Sequence, residues 1–120
     1  MSYKDLKVYA KAYSASLEMH LISLSFPKNE QYALADQLRR SSKSIALNIA
    51  EGYGRNSSTA DFKRFLLIAL GSCNEVQVII EYCKDLEYIS EEEYGKYISV
   101  YTEIGKMLNA LHKNWQDIRR

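Results

Sequence analysis

From residue 94 onward the chain places Tyr94, Tyr97, Tyr101, Ile104, Leu108, Leu111, Trp115 and Ile118 at alternating steps of three and four. That spacing keeps every apolar side chain on one stripe of an α-helix and would scatter them over both faces of a strand. A helix cannot bury such a stripe by itself. Other helices must cover it, and the question becomes whether the rest of the chain supplies them.

Three further runs do. The first, from about Tyr3 to Leu24, sets Leu6, Ala10, Tyr13, Leu17, His20, Leu21 and Leu24 on one seam and Val8, Ala12 and Met19 on a second, which predicts a helix buried on more than one side. Pro27 stops it near Ser25 and Phe26, and Asn29 is positioned to cap the next helix. The second run repeats Leu34, Leu38, Ser42, Ile45 and Ile49, passes Glu51 and meets Gly52 and Gly54, which predicts a left-handed helix end. After a short connection through residues 54–58, Ser58 with Asp61 resembles a capping box. It opens a third helix that turns Phe62, Phe65, Ala69, Cys73, Val76, Ile80 and Cys83 inward. Ser90 with Glu93 forms a clearer box at the start of the fourth.

Short connections make successive helices antiparallel, so the expected fold is all-α: one up-down-up-down four-helix bundle over residues 1–120. A 47% hydrophobic chain with a single proline can build such a core without metals or disulfides. The ten tyrosines fall largely on the apolar stripes, which favours core and interface packing over base stacking. Cys73 and Cys83 lie ten residues apart on one helix, about 15 Å at the helical rise, and are expected to be reduced thiols. The first residues hold no apolar signal core, and no stretch resembles an uncharged membrane span. A cytoplasmic protein with no membrane partner is expected.

Catalytic chemistry finds little to work with. His20 and His112 belong to no Glu-x-x-His pair, and neither cysteine has a partner at zinc spacing. Glycine-rich phosphate loops are missing, and Glu51 with Arg55 has no nucleophile beside it. The expectation is a protein that is not an enzyme, with no cofactor, metal or small-molecule substrate.

Two polar patterns remain. On the second helix Gln37, Ser41, Ser44, Asn48, Glu51 and Arg55 fall within about 40° of the Gln37 direction, with Arg40 beside them. An antiparallel third helix should bring Ser72 near Ser41 and Glu75 near Gln37 and Arg40, with Gly71 permitting close approach. Gln37, Arg40, Ser44, Asn48, Glu51, Ser72 and Glu75 therefore read as a structural polar network in which Arg40 pairs with Glu75. The second pattern is a charge separation. Residues 1–12, 51–64 and 113–120 meet at one pole of the expected bundle with nine positive charges against four negative, whereas residues 24–34 and 81–96 carry three against seven. Lys4, Lys7 and Lys11 are expected to share a helix face and Arg55, Lys63 and Arg64 to gather at the turn, which makes these six the candidate phosphate contacts. Arg39 and Lys43 form a separate basic pair on the outer side of the second helix.

The run from Phe26-Pro27 to Gln37-Leu38-Arg39-Arg40, then Ser44-Ile45, Asn48-Ile49-Ala50-Glu51-Gly52-Tyr53-Gly54-Arg55, Phe65-Leu66, Ala69, Gly71-Ser72 and Glu75, resembles the 23S rRNA intervening-sequence proteins. That resemblance implies a bacterial, ribosomal-protein-like four-helix bundle that assembles into a ring of five subunits and carries no enzymatic activity. Some members are encoded within insertions of large-subunit rRNA genes. A related branch serves as an accessory protein to a reverse transcriptase in diversity-generating retroelements, with a basic surface implicated in nucleic-acid binding. The expectation is therefore a homopentamer that binds RNA or DNA through its basic pole; the alternative is a scaffold for a protein partner such as a nucleic-acid enzyme.

Overall fold

A computed structural model describes residues 2–55 and 58–115. Among these residues four α-helices follow one another: α1 (Lys7–Ser23), α2 (Leu34–Gly54), α3 (Thr59–Asp85) and α4 (Glu91–Asn114). Short 3-10 turns precede α1 at Tyr3–Asp5 and α2 at Lys28–Glu30. Packing of α1 on α2, α2 on α3, α3 on α4 and α4 on α1 closes the expected four-helix bundle, with α1 and α3 at diagonal corners. Ile118 and the outermost charges counted at the basic pole lie outside the described residues.

Each helix starts and stops for a local reason. Ser90 Oγ accepts from the Glu93 amide while the Glu93 carboxylate accepts from the Ser90 amide, so both orphan donors at the start of α4 are satisfied. Ser58 caps α3 through the Asp61 amide at 3.0 Å. A second capping box, Ser2 with Asp5, sits before α1, where Leu6 adopts an extended conformation and separates the 3-10 turn from the helix proper. The expectation of one helix from Tyr3 is corrected accordingly. Asn29 lies within a 3-10 turn and does not cap α2, whose N-cap is Ala33 without a side-chain bond.

Arg39 organises that connection. Its guanidinium donates to Ser23 Oγ at 2.8 Å, to Gln31 Oε1 at 3.3 Å and to the Gln31 carbonyl at 2.6 Å. Gln31 Nε2 in turn donates to the carbonyls of Ser23 and Phe26, so the backbone polar groups of the α1–α2 loop are met from inside. Arg39 is thus a loop clamp, not half of a solvated basic pair. Its expected companion Lys43 donates to His20 Nδ1 at 2.8 Å, across α1 and α2.

Every residue of the α3 seam is buried, joined by Leu66 and Ile79. α3 is long and apolar enough to cross a membrane by length and composition alone, a test that the central helix of a bundle also passes. On α4 the stripe Tyr97, Tyr101, Ile104 and Leu108 is buried, and Leu111 and Trp115 are half-buried against the core. The first helix corrects the reading of its two faces. Val8, Ala12, Ala15, Ser16, Met19 and Ser23 face the core, while Tyr13, Leu17, Leu21 and Leu24 of the other seam point outward, Leu21 at 66% exposure. Small side chains on the inner face let α1 approach α2 closely, and periodicity alone did not separate two apolar faces.

The glycines correct another expectation. α2 continues through Gly54, and no glycine among the described residues has a positive φ. A Cβ on Gly52 would lie 2.6 Å from Phe65 Cβ, so this glycine is where α3 crosses α2. Gly71, expected to permit close approach, has open space around it.

Candidate nucleic-acid interface

The α2–α3 turn ends on an aromatic foundation. Phe62 meets Trp115 edge-on at 4.7 Å between ring centroids and Tyr53 at 6.0 Å, and Tyr53 meets Trp115 at 6.1 Å. One residue turn away, Phe65 is covered by two guanidinium groups, Arg64 at 4.6 Å and Arg55 at 5.4 Å from its ring centroid. Stacking of this kind fixes where two long side chains place their charge.

Both arginines have carboxylate neighbours: Glu51 lies 3.2 Å from Arg55 and Asp61 lies 3.4 Å from Arg64. These are exposed pairs within one helical turn, worth about 0.3–0.5 kcal/mol, so a phosphate could recruit either arginine at little cost. Lys63 is half-buried and makes no ion pair among the described residues.

The three lysines of the chain start do not share one face, because Leu6 interrupts the helix between Lys4 and Lys7. Lys4 is exposed and lines a cleft with Tyr3, Tyr9, Ala10 and Tyr13. Lys7 lines a groove of about 610 Å³ between α1 and α4, with Leu6, Val8, Met107, Leu111 and Trp115. Lys11 pairs with Glu103 of α4 at 2.9 Å, and Lys96 with Glu18 repeats that arrangement farther up. Arg55, Lys63 and Arg64 flank the α2–α3 turn, and Lys7 shares its groove with Trp115, which meets Phe62 of the same end, whereas Lys11 is tied to Glu103 half-way along α4 in a body 50 Å long. The opposite end carries Asp85, Glu87, Glu91 and Glu93 around the α3–α4 turn. Poles so far apart are separated by several Debye lengths of about 8–10 Å, so neither cancels the local field of the other.

The polar line between α2 and α3 sits one helical turn from its expected register. Ser44 bonds Ser72 at 2.8 Å, and Ser41 donates to Glu75 Oε2 at 2.6 Å. Asn48 Nδ2 donates to the Ser44 carbonyl at 2.8 Å and to Ser44 Oγ at 3.0 Å. Arg40 does not meet Glu75: it turns to Asp36 at 3.1 Å and its side chain is 81% exposed. Gln37 is exposed, and Glu51 belongs with Arg55. The shift follows from α2 running on through Gly54, which moves the centre of the hairpin toward Ser58.

Burial decides what the remaining reactive groups can do. It pushes the Cys83 thiol up to about 12, with the Glu30 charge adding to the effect, and it also raises Cys73. Neither thiol is poised as a nucleophile. Among the described residues no three His, Cys, Asp or Glu side chains gather as a metal ion would require.

A family model described as 23S rRNA-intervening sequence protein matches residues 4–110. The chain belongs to this family. It is also similar to a solved structure, a protein of unknown function from the S23 ribosomal protein family of Bacteroides thetaiotaomicron VPI-5482. The two are 30% identical, with a TM-score of 0.81, over 89% of this chain and 96% of that one. No curated protein matches the chain. The match to the 23S rRNA-intervening sequence family spans α1, α2, α3 and most of α4, and so includes the residues of the basic end from Lys4 to Arg64.

Proposed function

We propose that this family member is a non-catalytic homo-oligomer that binds RNA or other nucleic acid through its basic pole. The observation that carries the reading is the grouping of Arg55, Lys63 and Arg64 at the α2–α3 turn, with Arg55 and Arg64 held over Phe65; Lys4, Lys7 and Lys11 of the chain start are the further proposed phosphate contacts. Phosphate contacts of this type give affinity with little sequence preference.

Assembly is supported by exposed apolar residues on both diagonal corners: Leu17, Leu21 and Leu24 on α1, and Leu67, Ile68, Val78 and Tyr82 on α3. Two different sticky faces on opposite sides of one subunit suit a heterologous contact, which forms a ring when its rotation closes. A pentamer is the proposed ring, and with subunits parallel it would place five basic ends together. The same apolar faces favour a second reading, a scaffold that presents helices to a protein such as a nucleic-acid enzyme.

Light scattering after size exclusion tests the assembly, and a monomer near the chain mass of 13.9 kDa would overturn it. RNA and DNA affinity measured against salt then tests the pole. Each phosphate neutralised contributes about 0.7 to 0.9 to the logarithmic salt slope. A Lys7/Arg55/Arg64→Ala variant of unchanged oligomeric size should bind more weakly and with a shallower slope. Equal binding by wild type and variant would leave the scaffold as the better reading.

A further inference from the structure

The outward seam of α1 changes chemistry half-way along. Toward the basic pole Tyr9 and Tyr13 stack with centroids 6.0 Å apart, and Tyr3 meets Tyr9 edge-on at 4.9 Å. Beyond Ser16 the exposed large apolar residues of the same seam are leucines, at positions 17, 21 and 24, with His20 half-buried among them. Tyrosine serves a subunit contact as well as a ligand with flat faces, and what surrounds the rings decides between them.

Two adjoining clefts of about 370 and 550 Å³ share these three rings. The first is also lined by Ala46, Ala50 and Lys43 of α2, and the second by Lys4. Lys4 is exposed and makes no ion pair among the described residues, while Lys43 sits at 2.8 Å from His20 Nδ1 without a carboxylate partner. Tyr13 is 50% exposed, so a ring face is open to a ligand. Burial and its tyrosine neighbours raise the pKa of Tyr9, so the central rung stays neutral and adds no negative charge.

Aromatic rings between cations fit a polymer with flat π-faces and a negative backbone. A duplex hides its base faces, whereas an unpaired strand offers them. We propose that Tyr3, Tyr9 and Tyr13 form a stacking platform for unpaired bases of a single-stranded nucleic acid whose phosphates meet Lys4 and Lys43. The platform extends the basic pole along the α1–α2 groove, and so rests on the nucleic-acid reading above. It predicts what that reading leaves open, namely a preference for single strands.

The test uses a fluorescent oligonucleotide of mixed sequence, as RNA and as DNA, single-stranded or annealed to its complement, titrated with the full chain. Wild type should prefer the single strand. A Tyr9→Leu/Tyr13→Leu variant should lose roughly 5- to 150-fold in single-strand affinity for each stacked base removed. Its salt slope should not change, because no phosphate contact is lost. Tyr13→Phe keeps the ring and should bind as wild type. Duplex binding at least as tight as single-strand binding, or a leucine variant that binds like wild type, overturns the platform. A leucine variant with altered oligomeric size overturns it too, since the face would then belong to a second copy of the chain. Failure of the platform alone leaves the Lys7/Arg55/Arg64→Ala variant impaired; failure of the nucleic-acid reading leaves no salt-sensitive binding for either variant to lose.

Discussion

Gly52 and Phe65 mark the tightest crossing between α2 and α3: a methyl group on Gly52 would stand 2.6 Å from Phe65 Cβ and 3.2 Å from its Cγ. Phe65 is also the ring under Arg55 and Arg64, so the crossing sets the position of the basic pole. Gly52→Ala should destabilise the fold by about 1–3 kcal/mol through overpacking. Gly71→Ala is the contrast, because nothing lies within 4 Å of the added carbon on that exposed helical position. It should stabilise by about 0.5–1 kcal/mol through helix propensity. Urea denaturation of both variants checks the pair, and a Gly52→Ala variant as stable as wild type would refute the close-approach argument.

Arg39 and Arg40 are neighbours in sequence with opposite roles. Hydrogen bonds to charged groups are worth about 1.5–3 kcal/mol, and Arg39 makes its bonds in a part-buried loop. Arg39→Met should therefore cost at least about 2 kcal/mol. Arg40→Met gives up only an exposed pair with Asp36 and should cost less than about 0.5 kcal/mol. Chemical denaturation separates these outcomes, and equal losses would show that the loop does not depend on Arg39.

What could be read in the sequence follows from how many physical signals agree at each point. In α4 periodicity, a capping box and the Tyr97–Leu108 stripe all point one way, and the helix forms as expected with its seam inward. α1 carries two apolar faces, and the choice between them depends on Ala12, Ala15 and Ser16 fitting against α2, which is tertiary information. Helix-ending glycines gave a second divergence. Gly52 and Gly54 are consistent with a C-cap or with a close crossing, and only Phe65 from the next helix decides. From that followed the one-turn shift in the polar line, which separates Arg40 from Glu75 and brings Ser44 to Ser72. At the candidate site, the charge poles rest on the order of the helices, which topology supplies. The contact between Tyr9 and Tyr13 was not legible, since both look like part of an apolar stripe until the fold leaves Tyr13 exposed and Tyr9 half-buried beside it.

Tyr101 is fully buried, and its hydroxyl has no hydrogen-bond partner among the described residues. An unsatisfied buried hydroxyl costs about 1–3 kcal/mol. Removing it without changing the ring recovers part of that, so Tyr101→Phe should be neutral or stabilising by up to about 2 kcal/mol. A loss above about 1 kcal/mol in thermal or urea unfolding would mean that the hydroxyl is satisfied in solution.

Alkaline unfolding follows from the same core. The folded Cys83 thiol is raised to about 12 from an ordinary 9.0, mainly by burial, so the folded state holds this proton more tightly than the unfolded chain does. Its contribution is fully present below pH 9 and is lost as pH rises toward 12. Tyr101 acts with the same sign, because burial raises its phenol above the ordinary 10.0 and ionisation again favours the unfolded chain. The urea midpoint should fall between pH 9 and pH 11. A Cys83→Ala/Tyr101→Phe variant should lose a smaller share of its stability over that interval, whatever its stability at pH 7. Equal pH slopes for wild type and variant would show that these two buried groups do not govern alkaline unfolding.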